Sequence, residues 1–301
     1  MRKTVLVIDD EKIGAENIQK AFINEMGSVD CLVAFDEPTI NNYIKNKFYD
    51  IAIVDLRMDD FSINGFDIIK NIIEVNPFSK IIIISAHLEE YNDDINEILS
   101  TGKISAIIPK DNFKDFKDKI FREVSKIFLE IDSNLDFSQK ILQEMYSDLK
   151  NEEDNFQKGQ KFERFVGMLW SRIGFKEINY RKIDKSQNEI DLIVRNDIED
   201  KFFEKFSPYF FVECKNIIEN VDKNMFVLFL TKLQGSNELA RLGFIITTSG
   251  FKRTTYLEAL RTSNASSKII FLSNNEIEEL INSIQPIKTL KTIIDRQVKD
   301  N

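Results

Sequence analysis

Ile51-Ala52-Ile53-Val54-Asp55-Leu56-Arg57-Met58 decides how this chain folds. An unbroken apolar run ends abruptly in an aspartate. A run without polar alternation reads as a strand buried on both faces, and such strands belong to parallel sheets. The pattern recurs on both sides. Residues 4–8 form an apolar strand that ends at Asp9-Asp10, residues 30–35 another, residues 81–85 a fully apolar one, and residues 105–109 a last one before Lys110. Amphipathic helical patterns fall between them at 13–26, 38–46, 66–74 and 93–100, the last stopped at Gly102. This βα alternation predicts a parallel sheet covered by helices on both faces.

Asp9, Asp10, Asp55, Ser85 and Lys110 all fall at carboxyl ends of the expected strands. In an open parallel sheet those ends converge on one edge, where ligands bind. Carboxylates crowded there repel one another unless a divalent cation lies among them, and Mg²⁺ suits an oxygen-rich, partly hydrated site. A carboxylate beside Mg²⁺ acts as a nucleophile toward a phosphoryl group. The lysine then neutralises the acyl phosphate, and the Ser85 hydroxyl reaches a phosphoryl oxygen.

Val7-Ile8-Asp9-Asp10-Glu11, Ile53-Val54-Asp55-Leu56-Arg57-Met58, Gly65-Phe66, Ile84-Ser85-Ala86 and Pro109-Lys110 resemble, in this order, the motifs of the response-regulator receiver family. The resemblance covers residues 1–125. It implies a five-stranded, doubly wound, flavodoxin-like domain with Asp55 as phosphoacceptor. Asp9 and Asp10 would hold Mg²⁺ with it, Ser85 would be the switch hydroxyl, and Lys110 would contact the phosphate. A histidine kinase or a small phosphodonor is the implied partner. The chain departs from the family at Asp59 and Asp111, where proline is usual, and at Ile107, an aromatic switch position. The segment to Gly65 is also slightly long. These departures bear on how phosphorylation reaches the output face. The alternative is a receiver kept as a scaffold.

Beyond the fifth strand, Phe113, Phe116, Ile120, Val124, Ile127 and Phe128 recur at helical spacing, and Leu135, Ile141, Leu142, Met145 and Leu149 continue a second helical segment. They read either as a closing helix with a packed connector or as a signalling, dimerising helix, so a homodimer is left open. The polar stretch 151–160 marks a boundary. The expected division is 1–125, a helical connector 126–154, a second domain 155–290, and a tail 291–301.

The second domain reads as α/β with a mixed sheet. Helical patterns cover 161–173, 224–242 and 276–284, and strands cover 189–195, 209–215, 244–248 and 268–272. Glu213-Cys214-Lys215 closes an apolar run. Residues two apart on a strand share a face, so Glu213 and Lys215 point together and Cys214 away. A buried glutamate–lysine pair is costly unless it serves a purpose. If the strand carrying Asp191 is adjacent, Asp191, Glu213 and Lys215 meet. That group suits metal-dependent phosphodiester hydrolysis. Asp191 and Glu213 would bind Mg²⁺, with Mn²⁺ as a substitute, to acidify an attacking water. Lys215 would orient that water or stabilise developing charge. Glu163 either adds a carboxylate or is a solvated helix acid, and Glu189 is the alternative to Asp191.

Gly159-Gln160-Lys161-Phe162-Glu163-Arg164-Phe165, Gly174-Phe175, Glu189-Ile190-Asp191-Leu192-Ile193, Val212-Glu213-Cys214-Lys215 and the stretch 240–251 resemble the PD-(D/E)xK restriction-endonuclease-like superfamily, and within it the Mrr-type enzymes. The resemblance covers residues 155–285. It implies an Mg²⁺-dependent endonuclease with DNA as substrate. Lys185-Ser186-Gln187-Asn188 replaces the family's glycine-rich approach to Asp191, and an acidic loop at 197–204 precedes the Glu213 strand. Phe202, Phe203, Phe206, Tyr209, Phe210 and Phe211 read as core in preference to a base-stacking platform. Lys252 and Arg253 are either backbone-phosphate contacts or ordinary surface charges.

The net charge of −9 divides into about −10 for residues 1–150 and about +1 for 151–301, so the acidic total does not argue against nucleic-acid binding by the second half. Cys31 and Cys214 stand far apart, which argues against a zinc site or a disulfide scaffold. His87, the single histidine, reads as a loop residue, which nearly excludes histidine-based catalysis. No stretch reads as a signal peptide or membrane span, and a cytoplasmic protein is expected. The reading as a whole is a phosphorylation-controlled nuclease, in phage defence or the DNA damage response. Its alternatives are a non-catalytic regulator that binds nucleic acid or protein, and a phosphoryl sink.

Overall fold

The computed structural model describes residues 3–59, 61–86, 92–133, 135–149, 155–183, 189–262 and 266–299. It divides into two compact units, Met1–Phe137 and Ser138–Asn301. His87 and the stretch 185–188 lie outside the described residues.

In the first unit, β1 (Lys3–Ile8), β2 (Val29–Ala34), β3 (Ile51–Asp55), β4 (Lys80–Ser85) and β5 (Ile104–Pro109) form a parallel sheet in the order β2-β1-β3-β4-β5. Side chains alternate between its faces. Val5, Val7, Ile51, Ile53, Ile82 and Ile84 pack against α1 (Lys12–Glu25) and α5 (Phe113–Ser133). Leu6, Ile8, Ala52, Val54, Ile81 and Ile83 pack against α2 (Glu37–Asn46), α3 (Gly65–Val75) and α4 (Asn92–Leu99). Each fully buried aliphatic side chain stabilises by about 1.5–3 kcal/mol. The unbroken isoleucines 81–84 are thus what a strand with two covered faces requires.

The loops that carry the site are fixed locally. Asp36 caps α2 by accepting from the Thr39 N–H at 2.8 Å, and Asn64 with Asp67 forms a reciprocal capping box at the start of α3. Gly65 begins α3 where the chain crosses the end of β3. A Cβ there would stand 2.2 Å from the Asp55 carbonyl oxygen and 2.5 Å from the Leu56 Cα. Only glycine fits.

A further helix, α6 (Leu135–Asp148), contains the boundary between the units. The Phe137 ring receives the ammoniums of Lys80 and Lys103 at 5.2 and 4.8 Å. The next residue, Ser138, accepts from Arg172 Nε at 3.2 Å.

The second unit contains a mixed sheet in the order β10-β9-β8-β7-β6. The strands are β6 (Ile178–Ile183), β7 (Glu189–Arg195), β8 (Tyr209–Lys215), β9 (Leu242–Thr247) and β10 (Lys268–Leu272). β6, β7 and β8 run antiparallel, while β8, β9 and β10 run parallel. Trp170 of α7 (Asn155–Ile173) packs on Phe175, Phe210 and Phe244 on one face. On the other face Phe229 and Leu233 of α8 (Lys223–Gln234) close over Gly243. The domain is completed by α9 (Arg253–Arg261), α10 (Asn274–Asn282) and α11 (Pro286–Lys299). Arg172 of α7 donates to the carbonyls of Leu280 and Ser283 at 3.0 and 2.8 Å, satisfying the carboxyl end of α10.

The structure departs from the sequence expectation in several places. α7 begins inside the stretch expected as a boundary. α8 ends at Gln234, not at Leu242, because Gly235 and the left-handed Asn237 and Glu238 turn the chain into β9. Residues 291–299, expected as a tail, continue α11, with Leu290, Ile293 and Ile294 buried. No helix among the described residues is long and apolar enough to cross a membrane.

Candidate functional site

At the carboxyl edge of the first sheet, Asp9, Asp10 and Asp55 each offer an oxygen within 4.8 Å of the others. Among the described residues no other three acids or thiols gather so closely. Parallel pairing of β1 with β3 brings them together. Lys110, just after β5, bridges the two strands by donating to Asp9 Oδ2 at 2.8 Å and Asp55 Oδ2 at 2.5 Å. Its own N–H donates to the Ser85 carbonyl at 2.9 Å. Ser85 ends β4, one residue past the partner of Asp55. Asp9 and Asp55 are 1% and 5% exposed, and burial raises both carboxyls while Lys110 pulls them back. Burial lowers the Lys110 ammonium, but the two carboxylates outweigh it and hold it above its ordinary value.

Asp10 is held by a residue the motif reading treated only as a departure. The Asp59 N–H donates to Asp10 Oδ2 at 2.9 Å, and Arg57 Nε holds the Asp59 carboxylate at 2.7 Å. A proline at 59 has no N–H to give. Three carboxylates facing one ammonium fit a hard divalent cation that takes oxygen ligands.

The second constellation forms where β7 and β8 pair, Leu192 opposite Val212. Asp191 Oδ2 accepts from the Cys214 N–H at 2.7 Å. Lys215 Nζ lies 2.7 Å from Glu213 Oε1. The three residues expected to meet do meet. Burial, and then the Glu213 carboxylate, push Asp191 up to about 6, against the Cys214 N–H and Lys215. Burial lowers Lys215, but Glu213 and Asp191 hold it above its ordinary value. Two carboxylates that oppose each other's charge in a half-buried place, with oxygen donors only, fit the same kind of cation.

Glu163 stands on α7, the helix on the Trp170 face of the sheet. Its charge acts on Asp191 and on Cys214, whose thiol burial pushes well above its ordinary range. It does not join Asp191 and Glu213 in a group of three within 4.8 Å. Glu189 is exposed at the start of β7. Phe203, Phe210 and Phe211 are buried and pack within the domain, as expected of core. Lys252 stands 4.0 Å from Glu219 at the surface.

Sequence reasoning missed Lys232. Its ammonium, on α8, lies 3.0 Å from Glu213 Oε2. The only signal was a lysine beside Phe229, Leu230 and Leu233 on a helix that otherwise buries apolar residues. Nearby, a cavity of about 290 Å³ opens at the carboxyl ends of β8 and β9, between Lys158, Asn216, Thr248 and Ser249.

Comparison with known proteins agrees with the two-part reading. Residues 5–120 match the family model of the response regulator receiver domain. Residues 155–281 match that of a restriction endonuclease. No curated protein matches the chain. Among solved structures, a CheY-like receiver domain protein from Methanospirillum hungatei is 20% identical, over 43% of this chain and 99% of that one, with a TM-score of 0.35. A Francisella response regulator receiver domain is 23% identical, over 42% and 98%, with a TM-score of 0.34. The response regulator DrrB of Thermotoga maritima is 15% identical, over 42% and 54%, with a TM-score of 0.34.

Proposed function

Because the chain joins a response regulator receiver domain to a restriction endonuclease domain, we propose that it is a nuclease whose hydrolysis of DNA is governed by phosphorylation of Asp55. The observation that carries this reading is the meeting of Asp191 with Glu213 and Lys215 on neighbouring strands inside the endonuclease match.

In the receiver, the Asp55 carboxylate attacks the phosphorus of a phosphohistidine or small phosphodonor, and the donor's leaving group departs. Lys110, already bridging Asp9 and Asp55, neutralises the acyl phosphate, and the Ser85 hydroxyl is placed at the same edge to receive a phosphoryl oxygen. In the second domain, Lys215 faces the charge that develops on the phosphodiester. Lys215 is also placed to orient the attacking water. Asp9, Asp10 and Asp55 would hold a divalent cation in one site, and Asp191 and Glu213 in the other. When bound, it supplies charge neutralisation for the phosphoryl group and acidifies water. Defence against phage or repair of damaged DNA is a fitting setting for such an output.

The test is nicking of supercoiled plasmid by the full chain with Mg²⁺ or Mn²⁺, with and without beryllofluoride as phosphoryl mimic. Lys215→Ala is expected to lose roughly 100-fold or more of the rate, and the mimic's effect gives the sign of the control. If plasmid and RNA both stay intact under every metal condition, the hydrolytic reading falls and a binding regulator takes its place.

A further inference from the structure

The ExK motif supplies one lysine to the second site, and the fold supplies another from α8. Both oxygens of Glu213 are engaged, Oε1 by Lys215 at 2.7 Å and Oε2 by Lys232 at 3.0 Å. Glu213 keeps 10% of its side chain exposed and Lys232 19%. Phe229, Leu230 and Leu233, beside Lys232 on the helix, are buried in the core on this face. A lysine at the margin of an apolar face gives up hydration and side-chain freedom. An exposed surface pair would scarcely offset that cost. The contact is an internal ion pair built into the site.

Glu213 already holds two ammoniums, Lys215 and Lys232, so its charge is balanced without a metal. A divalent cation brought to Glu213 meets both ammoniums at close range, in a place where charge is poorly screened. Lys232 is the partner that can leave. It stands on a separate helix, whereas Lys215 lies two residues from Glu213 on the same face of the same strand.

We propose that Lys232 is the resident counter-ion of Glu213, occupying the place of a divalent cation until one binds and opposing its entry. The inference rests on the hydrolytic reading of this site. A site so guarded fills only at higher metal concentration. Once displaced, the Lys232 ammonium is available to the anionic phosphodiester.

The experiment is calorimetric titration of Mn²⁺ into the full-length protein, Lys232→Met and Lys232→Arg. All are made in an Asp10→Asn background, which takes one carboxylate from the receiver cluster. Glu213→Gln identifies which binding belongs to this site, and matched thermal melts confirm that each variant is folded. Lys232→Met is expected to tighten the Glu213-dependent binding by about tenfold, the equivalent of about 1.4 kcal/mol of removed repulsion. Lys232→Arg, which keeps the charge, is expected to stay within about twofold. A merely structural lysine would loosen metal binding when removed. Unchanged or weaker binding in Lys232→Met therefore overturns the inference and leaves the hydrolytic reading standing. Absence of any Glu213-dependent Mn²⁺ binding overturns both together.

Discussion

The two sites use the same parts in opposite proportion. In the receiver, Asp9 and Asp55 share one ammonium, Lys110, which joins two strands, and Asp10 beside them takes the Asp59 N–H. In the second domain, Glu213 alone takes two ammoniums, and Asp191 leans on a backbone N–H. The first arrangement is left with negative charge that an outside cation must balance. In the second, Glu213 is balanced from within. Burial raises Asp9, Asp55 and Asp191 alike. The difference therefore lies in the partners each fold delivers, and not in the depth of the carboxylates. A site that lacks positive charge invites a cation and an electrophilic phosphoryl group. A site that carries its own, on the proposal made for Lys232, fills only at higher metal concentration.

Three measurements would break or sharpen this contrast. The largest effect is expected from Asp55→Asn, which should abolish hydroxylamine-labile phosphoryl incorporation from acetyl phosphate. Phosphoryl groups still incorporated into that variant would show that the receiver's chemistry lies elsewhere than on Asp55. Next is Gly65→Ala, whose Cβ would collide with the backbone at the end of β3. The receiver should lose roughly 3 kcal/mol in denaturant unfolding, and a near-neutral result would show that the edge carrying Asp55 yields more easily than its packing suggests.

The smallest effect concerns Asp191, whose folded value of about 6 stands above its ordinary 3.8. The folded state then binds this proton more tightly than the unfolded state, so stability is lost as pH rises from about 4 to about 6. Asp191→Asn removes that loss. Its melting advantage should be absent near pH 4, grow to about pH 6 and level off. The gain should be on the order of 1 kcal/mol, because a pKa unit is worth about 1.4 kcal/mol and partial exposure screens some of it. A flat difference across this range would mean that the neighbouring lysines already balance Asp191 as fully as they do Glu213.

The receiver was legible because its strands carry their own punctuation. Apolar runs ending in Asp9, Asp55 and Ser85 fix strand, direction and site edge together. The second domain was legible where its strands are apolar, the edge strand β10 included. β8 and β9 are apolar and were read. β6, Ile178-Asn179-Tyr180-Arg181-Lys182-Ile183, lies at the edge of the sheet, and its polar residues gave no strand signal. α11 escaped because its amphipathic stripe follows Pro286 in a stretch that looks like a polar tail. Lys232 escaped for a different reason. A strand motif reports which residues share a strand, and a helix that brings a charge from 19 positions away leaves no spacing to read. Asp59 was visible as a missing proline, but its use, an N–H for Asp10, appears only when the loop is folded.

The helix shared by the two units sets how the protein can be divided. The boundary falls between Phe137 and Ser138, inside α6. Scission there would strip the last carbonyls of one fragment and the first amides of the other of their i to i+4 partners. It would also separate a ring seated between two lysines from a hydroxyl bound to Arg172. Each half expressed alone should therefore keep the whole of residues 135–148, so that the two recombinant pieces overlap by a helix.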